Sequence, residues 1–230
     1  MNNLLFVPCY EDQKNFFKLL DKIDKIYSSN LFDLLIINDG SKNKIYLKKI
    51  KSKFKIDVIN LKKNYGVGFC TKLALNYAHS LNYTKLCRID ADGEHDPFFI
   101  KEIFFNLKKK DFVFCKRLIK EKQNLFKYIS KSIIMYLINN MFNYKVQDYN
   151  CGMMGFGKKA IQIFKNNNFL KYPEPEIILN VLSSKLKYFV IPITQLQRLQ
   201  GKSSINFIKG LDYFLTVIFL IINYKLNKKF

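Results

Sequence analysis

The chain has 230 residues, of which 49% are hydrophobic and 16% are aromatic. This length fits one domain with a sizeable core, and the composition excludes an intrinsically disordered chain. Lys and Arg number 39 against 18 Asp and Glu, so the net charge is +21. A surplus of this size attracts polyanions: nucleic acid, anionic lipid headgroups or phosphorylated substrates. Because lysine is frequent along the whole chain, a solvated lysine surface explains much of this charge equally well.

The five cysteines indicate a reducing compartment. They are odd in number, lie far apart and form no C-x-x-C pair, which argues against a disulfide framework and against a zinc site. The first residues lead almost directly into the apolar run Leu4–Val7, without the basic region of a signal peptide. We therefore expect a cytoplasmic protein whose first element is a β-strand.

Over the first 116 residues, short apolar runs alternate with longer helical patterns. The predicted strands are Leu4–Val7, Leu34–Asn38, Asp57–Asn60, Lys85–Ile89 and Phe112–Cys115. The predicted helices are Asn15–Tyr27, Lys44–Lys53, Gly68–Ser80 and Pro97–Leu107. This alternation predicts an α/β fold with a mostly parallel central sheet and helices on both faces.

The pattern changes after Arg117. Beyond it we predict a helix, a glycine-bearing segment, a second helix, a strand and a basic loop, which are Leu125–Phe142, Asn150–Gly157, Pro175–Ser184, Phe189–Ile193 and Arg198–Ser204. A terminal helix follows this loop. We interpret residues 1–205 as one domain and residues 206–230 as a C-terminal amphipathic helix.

The terminal helix has a membrane-like composition. Its apolar run, Leu211–Tyr224, is shorter than the roughly 20 residues that cross a bilayer. It contains Asp212 and is followed by Lys225, Lys228 and Lys229. We therefore expect the helix to lie on an anionic membrane surface, at the inner face, without crossing it. The alternative is a buried terminal helix or an assembly contact.

Polar clusters follow four of the predicted strands. They are Pro8–Asp12, Asn38–Ser41, Asn64–Gly68 and Asp90–Pro97. Because ligands of parallel sheets bind beyond the carboxyl ends of the strands, these clusters are expected to form one site.

The cluster with the clearest chemistry is Asp90–Pro97, with the sequence DADGEHDP. Asp90 and Asp92 are separated by one residue at a strand end, so both can meet one hard cation, Mg²⁺ or Mn²⁺. Glu94 is a further candidate ligand. Asp, Gly and Pro also form turns, which is the structural alternative.

The other clusters suggest nucleoside binding. Asp39 can accept hydrogen bonds from a base or ribose, Tyr10 can stack on a base, and Asp12 can bind ribose or base. The alternatives are a tight turn with a helix cap and a helix start with favourable acidic residues. Asn64–Gly68 resembles a phosphate-binding glycine loop, but it is too short for a dinucleotide fingerprint.

In this order and spacing, the motifs resemble those of family 2 glycosyltransferases, and within them the polyprenyl-phosphate sugar synthases such as the dolichol-phosphate mannosyltransferases. The resemblance covers about residues 3–210. The matching segments are PCYED (8–12), NDGS (38–41), NYGVG (64–68), DADGEHDP (90–97), Lys116-Arg117, Asp148 with Cys151-Gly152, and Arg198-x-x-Gly201-x-Ser203.

The resemblance implies a GT-A fold, a Rossmann-like three-layer sandwich, with a nucleotide-diphosphate sugar donor and Mg²⁺ or Mn²⁺. By the same resemblance, the nucleoside is held by Pro8, Tyr10, Asp12 and Asp39. The metal and diphosphate are held by Asp90, Asp92 and Glu94. Asn38, Glu11-Asp12 and Glu94 differ from the usual family residues, which bears on the identity of the donor more than on the fold.

Two acceptor classes fit an inverting transfer. A lipid phosphate is already anionic and needs cationic positioning, for which Arg117 and Arg198 are suited. A glycan hydroxyl in cell-surface polysaccharide needs a general base, for which Asp148 is the first candidate and Glu174 and Glu176 are others. Structural alternatives are an ordinary ion pair for either arginine and a loop cap for Asp148.

His95 and the basic charge each have a competing interpretation. The resemblance implies that His95 supports the Asp90–Pro97 loop rather than acting as a catalytic group. A basic nucleic-acid-binding protein is the third hypothesis. We do not expect a nucleic-acid partner, because the acidic cluster at the strand ends repels phosphate that is not bridged by metal.

Overall fold

The computed structural model describes residues 2–118, 125–142, 148–170, 172–196 and 207–227. Its strands are β1 (Asn3–Cys9), β2 (Asp33–Asn38), β3 (Ile56–Asn60), β4 (Lys85–Arg88), β5 (Phe112–Leu118), β6 (Met154–Gly157) and β7 (Tyr188–Thr194). Its helices are α1 (Gln13–Ile26), α2 (Val67–Ser80), α3 (Ile100–Asn106), α4 (Leu125–Phe142), α5 (Lys158–Phe164), α6 (Glu174–Ser183) and α7 (Phe207–Asn227).

The strands form one seven-stranded sheet in the order β3-β2-β1-β4-β6-β5-β7. Strand β6 is antiparallel to β4 and β5, and the other neighbouring pairs are parallel. The predicted α/β class with a mostly parallel sheet is therefore confirmed.

Helices cover both faces of this sheet. Strands β1 and β2 are nearly continuous apolar runs, which is typical of strands buried on two faces. On one face, α1 and α3 pack with residues such as Phe16 and Ile100. On the other face, α2, α5 and α6 pack with residues such as Leu75, Ile161 and Ile177. The result is a three-layer sandwich.

The predicted helix Lys44–Lys53 is wrong. The structure has only a 3₁₀ turn there, Leu47–Lys49. The side-chain amide of Asn60 binds the backbone of Ile45 twice, accepting from its N–H at 2.9 Å and donating to its carbonyl at 2.8 Å. These bonds, together with the burial of Ile45, hold this segment against β3 and replace the hydrogen bonds that a helix would make.

Helices α4, α6 and α7 form a third apolar cluster beside the sheet. Ile134 and Ile138 of α4 meet Leu179 of α6 and Val217 and Ile221 of α7. The Tyr224 hydroxyl also donates to Asn180 Oδ1 of α6. The predicted terminal helix is thus present as α7, packed on α4 and α6. Within the described ranges, no helix has the length and hydropathy needed to cross a membrane.

The opposite sides of α4 and α7 are exposed and also apolar. We call this surface the outer face. It consists of Tyr128, Ile129, Ile133 and Tyr136 on α4 and Leu211, Leu215, Phe219, Ile222 and Leu226 on α7. The spacing of three and four residues places each set on one side of its helix. Each helix is therefore apolar on two sides, whereas a surface helix usually has one apolar stripe.

Candidate active site

The segments after β1, β2 and β4 meet at one edge of the sheet, as the parallel register requires. Cys9 lies beside Asn38 in the register of β1 and β2, and Phe6 lies beside Arg88 in that of β1 and β4. The segment before β6, which contains Cys151 and Gly152, reaches the same edge because β6 runs antiparallel to β4. This arrangement brings the predicted clusters together.

Asp90 is held from two sides. Its Oδ1 accepts hydrogen bonds from Arg88 Nε at 3.1 Å and from Arg88 Nη2 at 2.9 Å. Its Oδ2 faces Gly152, where a Cβ atom would overlap Oδ2 and lie 2.8 Å from Asp90 Cγ. Burial alone would raise the pKa of Asp90, but the Arg88 guanidinium lowers it below its usual value. Asp90 is therefore ionised and fixed in orientation.

Asp92 and Glu94 lie on a tight turn. Gly93 has a φ of 80°, a conformation that favours glycine, and Glu94 N–H donates to Asp92 Oδ1 at 3.0 Å. Glu94 Oε2 accepts from Gln195 Nε2 at 3.2 Å, and Leu196 N–H donates to the Glu94 carbonyl at 2.8 Å. The turn is thus anchored to the chain that follows β7.

The carboxylate oxygens of this turn are of the type that a hard cation prefers. Among the described residues, no group of three His, Cys, Asp or Glu side chains forms a ready metal site. Mg²⁺ commonly uses one or two carboxylates and takes its remaining ligands from water and substrate phosphates. The residues therefore fit a cation that binds together with a diphosphate.

His95 is buried next to this turn. Its Nε2 lies 3.7 Å from Cys151 Sγ, and it forms a β-bridge with Gln195. Burial lowers the pKa of His95 to about 4, so the imidazole is neutral near pH 7. This geometry is consistent with a supporting role for His95.

Asp39 connects two of the predicted clusters. Its two carboxylate oxygens accept hydrogen bonds from Tyr65 N–H and Gly66 N–H, each at 2.8 Å. A Cβ atom on Gly40 would lie 2.5 Å from Asn64 N, so glycine permits this close approach. The aspartate after β2 therefore holds the glycine loop at the start of α2.

The segment after β1 is tied to the same region. Glu11 N–H donates to Ser41 Oγ at 2.9 Å, and Lys42 N–H donates to Glu11 Oε1 at 2.8 Å. Asp12 Oδ1 accepts from Asn15 Nδ2 at 2.7 Å at the start of α1. Pro8 is the sixth residue of β1, and the Tyr10 ring beyond it is 53% exposed. Tyr10 thus leaves an aromatic face open to a ligand.

Arg117 and Asp148 bind each other. Arg117 Nε lies 2.8 Å from Asp148 Oδ2, Arg117 Nη2 lies 2.9 Å from Oδ1, and Arg117 N–H donates to Oδ2 at 3.1 Å. Lys131 Nζ of α4 is 3.8 Å from Asp148 Oδ1. The Asp148 side chain has no exposed surface, and although burial alone would raise its pKa, the bonds from Arg117 lower it. Arg198, the second predicted anion-binding residue, lies outside the described residues.

A family model described as "Glycosyl transferase family 2" matches residues 5–164, well over half of the chain. The chain belongs to glycosyl transferase family 2. No curated protein matches the sequence significantly.

Solved structures show the same fold for this family 2 chain. Glucosyl-3-phosphoglycerate synthase from Mycobacterium tuberculosis, in complex with Mn²⁺, UDP and glucosyl-3-phosphoglycerate, gives a TM-score of 0.69 at 13% identity, covering 98% of this chain and 79% of the synthase. S. aureus TarS in complex with UDP-GlcNAc gives a TM-score of 0.65 at 15% identity, covering 100% of this chain and 68% of TarS. At these identities the likeness establishes the GT-A fold.

Arg88 and Lys131 were not among the predicted site residues, and the contact between Gly152 and Asp90 was not predicted either. Arg88 is buried and also pairs with Glu174 of α6, Lys131 reaches Asp148, and Gly152 packs on Asp90. Arg88 lies within the predicted strand before Asp90, and a buried cation requires a partner. Its position could therefore have indicated an ion pair near Asp90. The partner itself could not be named, since Glu174 is distant in sequence.

Proposed function

We propose that this family 2 glycosyltransferase transfers a sugar, with inversion, from a nucleotide-diphosphate sugar to a lipid phosphate such as a polyprenyl phosphate. The proposal rests on one observation, which is that the two sides of α4 face different surroundings. Its inner side contributes Lys131 to the Arg117–Asp148 pair, and its opposite side belongs to the exposed apolar outer face. A lipid phosphate held beside Arg117 would therefore be separated by α4 from a surface suited to its hydrocarbon chain.

On the donor side, Pro8, Tyr10, Asp12 and Asp39 hold the nucleoside in this proposal. The diphosphate and a divalent cation, Mg²⁺ or Mn²⁺, are held at Asp90, Asp92 and Glu94. When bound, the cation acts as a Lewis acid that offsets the charge on the departing diphosphate. Support comes from related folds, because the M. tuberculosis synthase was crystallised with Mn²⁺ or Mg²⁺ and UDP.

The charges beside α4 suit an anionic acceptor. Arg117 and Lys131 carry two positive charges against the single negative charge of Asp148, so the group has a net charge of +1. Asp148 fixes the Arg117 guanidinium through a bidentate contact, which presents a preorganised cation to phosphate. In this role Asp148 is a positioning residue for Arg117, and Arg198 supplies a second cation.

The alternative is transfer to a glycan hydroxyl in cell-surface polysaccharide synthesis, with Asp148 as general base. Its position beside the Cys151-Gly152 segment favours this role. Against it, both Asp148 oxygens bind Arg117, which lowers its pKa and thus its basicity. The other candidate bases are also engaged, since Glu174 pairs with Arg88 and Glu176 accepts from Leu170 N–H at 2.9 Å.

The outer face and the basic net charge support a peripheral location at the inner face of a membrane. Lys225 is exposed beside Leu226 at the end of α7, where it can meet anionic headgroups. In this proposal α7 binds the membrane as part of the C-terminal segment 206–230, and residues 1–205 are the catalytic domain.

The experiment that tests the function is a screen of donors and acceptors. UDP- and GDP-sugars are incubated with Mn²⁺ and either a polyprenyl phosphate or an oligosaccharide, and the product is identified by mass spectrometry. We expect a glycosyl phospholipid whose anomeric configuration is opposite to that of the donor. Product formed only on the oligosaccharide would establish the alternative, and no product with any donor would reject both.

A further inference from the structure

Arg88 is the most unusual residue of the sheet. It ends β4, is only 2% exposed, and is the largest fully buried side chain of the described chain. An arginine is rarely buried without partners, because removing its charge from water is costly. Replacing a buried ion pair with apolar residues is often neutral or stabilising, so stability alone does not account for a charge at this position.

Two carboxylates share this guanidinium. Arg88 Nε and Nη2 donate to Asp90 Oδ1, and Nη2 also lies 2.8 Å from Glu174 Oε1. Glu174 is the first residue of α6, so the bridge joins Asp90 to this helix. One cation between two anions leaves a net charge of −1, which favours a cation near Asp90.

Gly152 completes the arrangement from the other side. Its missing side chain leaves space for Asp90 Oδ2, while Arg88 occupies Oδ1. The Asp90 carboxylate is therefore fixed by β4, by the segment before β6 and, through Arg88, by α6. A carboxylate held by these contacts keeps a single orientation toward a bound ligand.

We propose that Arg88 and Glu174 are positioning residues that orient Asp90 toward the metal–diphosphate of the donor. Because the Arg88 guanidinium also pairs with Glu174, it neutralises less of the negative charge of Asp90. Asp90 therefore keeps its affinity for a cation. The inference rests on the proposed donor site, and it adds residues from β4 and α6 to that site. Outer-shell partners of this kind typically contribute tenfold to a hundredfold to metal affinity.

The test is Glu174→Gln, which keeps the shape of the side chain and removes one negative charge. Calorimetry measures Mn²⁺ binding to the full chain with saturating UDP, and with GDP in a parallel series. We expect Mn²⁺ to bind about tenfold to a hundredfold more weakly to the variant. Nucleotide affinity in the presence of EDTA should stay within about twofold, because Glu174 acts through Asp90.

Two controls separate positioning from a structural role. Glu102→Gln removes the same charge from an exposed site on α3 and should bind Mn²⁺ like the wild type. Arg88→Lys keeps the charge but loses the planar fork, so it should also weaken Mn²⁺ binding. A lower melting temperature of Glu174→Gln with unchanged Mn²⁺ affinity would overturn the inference and leave a purely structural ion pair.

The outcome also distinguishes this inference from the proposed function. If the wild type binds neither nucleotide with Mn²⁺, the proposed donor site itself fails. If the wild type binds and Glu174→Gln binds equally well, only the positioning role fails.

Discussion

The loops that follow β1 and β2 are held by hydrogen bonds between side chains and backbone groups, whereas Asp90 after β4 and Arg117 on β5 are held by ion pairs between side chains. Asp39 binds two backbone N–H groups of the glycine loop, and Glu11 and Ser41 bind each other's segments. On the other side, Arg117 reaches Asp148 across 31 residues of sequence. Both kinds of contact join residues that are 26 to 31 positions apart in the sequence, and they differ in the groups that bind: backbone N–H groups on one side and charged side chains on the other.

This difference predicts how each side responds to substitution. Hydrogen bonds to the backbone hold a loop in one conformation. We therefore expect donor affinity to fall sharply when a single carboxylate there is replaced. An ion pair between flexible side chains can be rearranged, so its loss should have graded effects. Four experiments follow, beginning with the largest expected effect, and the first three test this contrast.

Asp92→Asn should strongly weaken metal-dependent donor binding, because it removes a negative charge from the turn between β4 and α3. We expect kcat/KM to fall by about 10²- to 10³-fold, the range seen when one preorganised electrostatic contact is lost. Titration of nucleoside diphosphate by calorimetry, with Mn²⁺ or with EDTA, provides the direct measurement. Asp21→Asn on the exposed side of α1 is the matched control. Equal affinity with and without Mn²⁺ in the wild type would contradict the metal assignment.

Arg198→Ala and Asp148→Asn together distinguish the two acceptors. With a lipid phosphate, Arg198→Ala should be the more damaging change, since a lost charge-assisted hydrogen bond of about 1.5–3 kcal/mol lowers the rate about tenfold to a hundredfold. With a hydroxyl acceptor the order should reverse, because a general base contributes about 10²- to 10⁴-fold. Steady-state rates at saturating donor and metal decide between them. A larger loss in Asp148→Asn would favour the polysaccharide alternative.

Gly152→Ala should weaken donor binding about tenfold while leaving the chain folded. The added methyl group would overlap Asp90 Oδ2 and displace the carboxylate from Arg88, and overpacking of this kind costs about 1–3 kcal/mol. Gly157→Ala is the control, since its Cβ would lie 3.0 Å from the Asp111 carbonyl, away from Asp90. Melting temperatures and calorimetric affinities of the two variants should therefore diverge. Similar donor affinity in both variants would mean that Gly152 serves packing alone.

Phe219→Glu should reduce sedimentation with vesicles of phosphatidylserine and phosphatidylcholine by several-fold, because it places a charge in the outer face. Phe105→Glu is a close control, since Phe219 is 66% exposed and Phe105, on α3, is 65% exposed. Truncation at Gly210 should lower vesicle binding further. Unchanged vesicle binding, together with a dimer in light scattering that Phe219→Glu dissociates, would identify a second copy as the partner of this face.

Much of the fold was predictable because its signals are local. Strands β1 to β5 all contain adjacent apolar residues, and each predicted strand lies in or overlaps the corresponding observed strand. The polar clusters at their ends were predictable for the same reason, because parallel strands must end at one edge. Strand β6 was not predicted as a strand. Its four residues, MGFG, include two glycines and carry too little β-propensity to show in a single sequence.

The remaining features depend on contacts distant in sequence. The helical periodicity of Lys44–Lys53 was overridden by the two bonds between Asn60 and Ile45. The pairing of Arg88 with Glu174 arises only when α6 packs on the finished sheet. Asp148 was predicted as a candidate base from its type and position, but its bidentate bond to Arg117 is set by tertiary structure.

The position of β6 also constrains the order of folding. Strand β5 is made before β6, yet β6 lies between β4 and β5 in the sheet. A nascent chain that ends before Met154 therefore lacks the strand that separates β4 from β5 in the native sheet. Direct pairing of β4 with β5 would be a trap at that stage, and escape would require the strands to separate again. Joining of the two halves of the sheet is thus expected late, at the slow rate typical of long-range strand pairing.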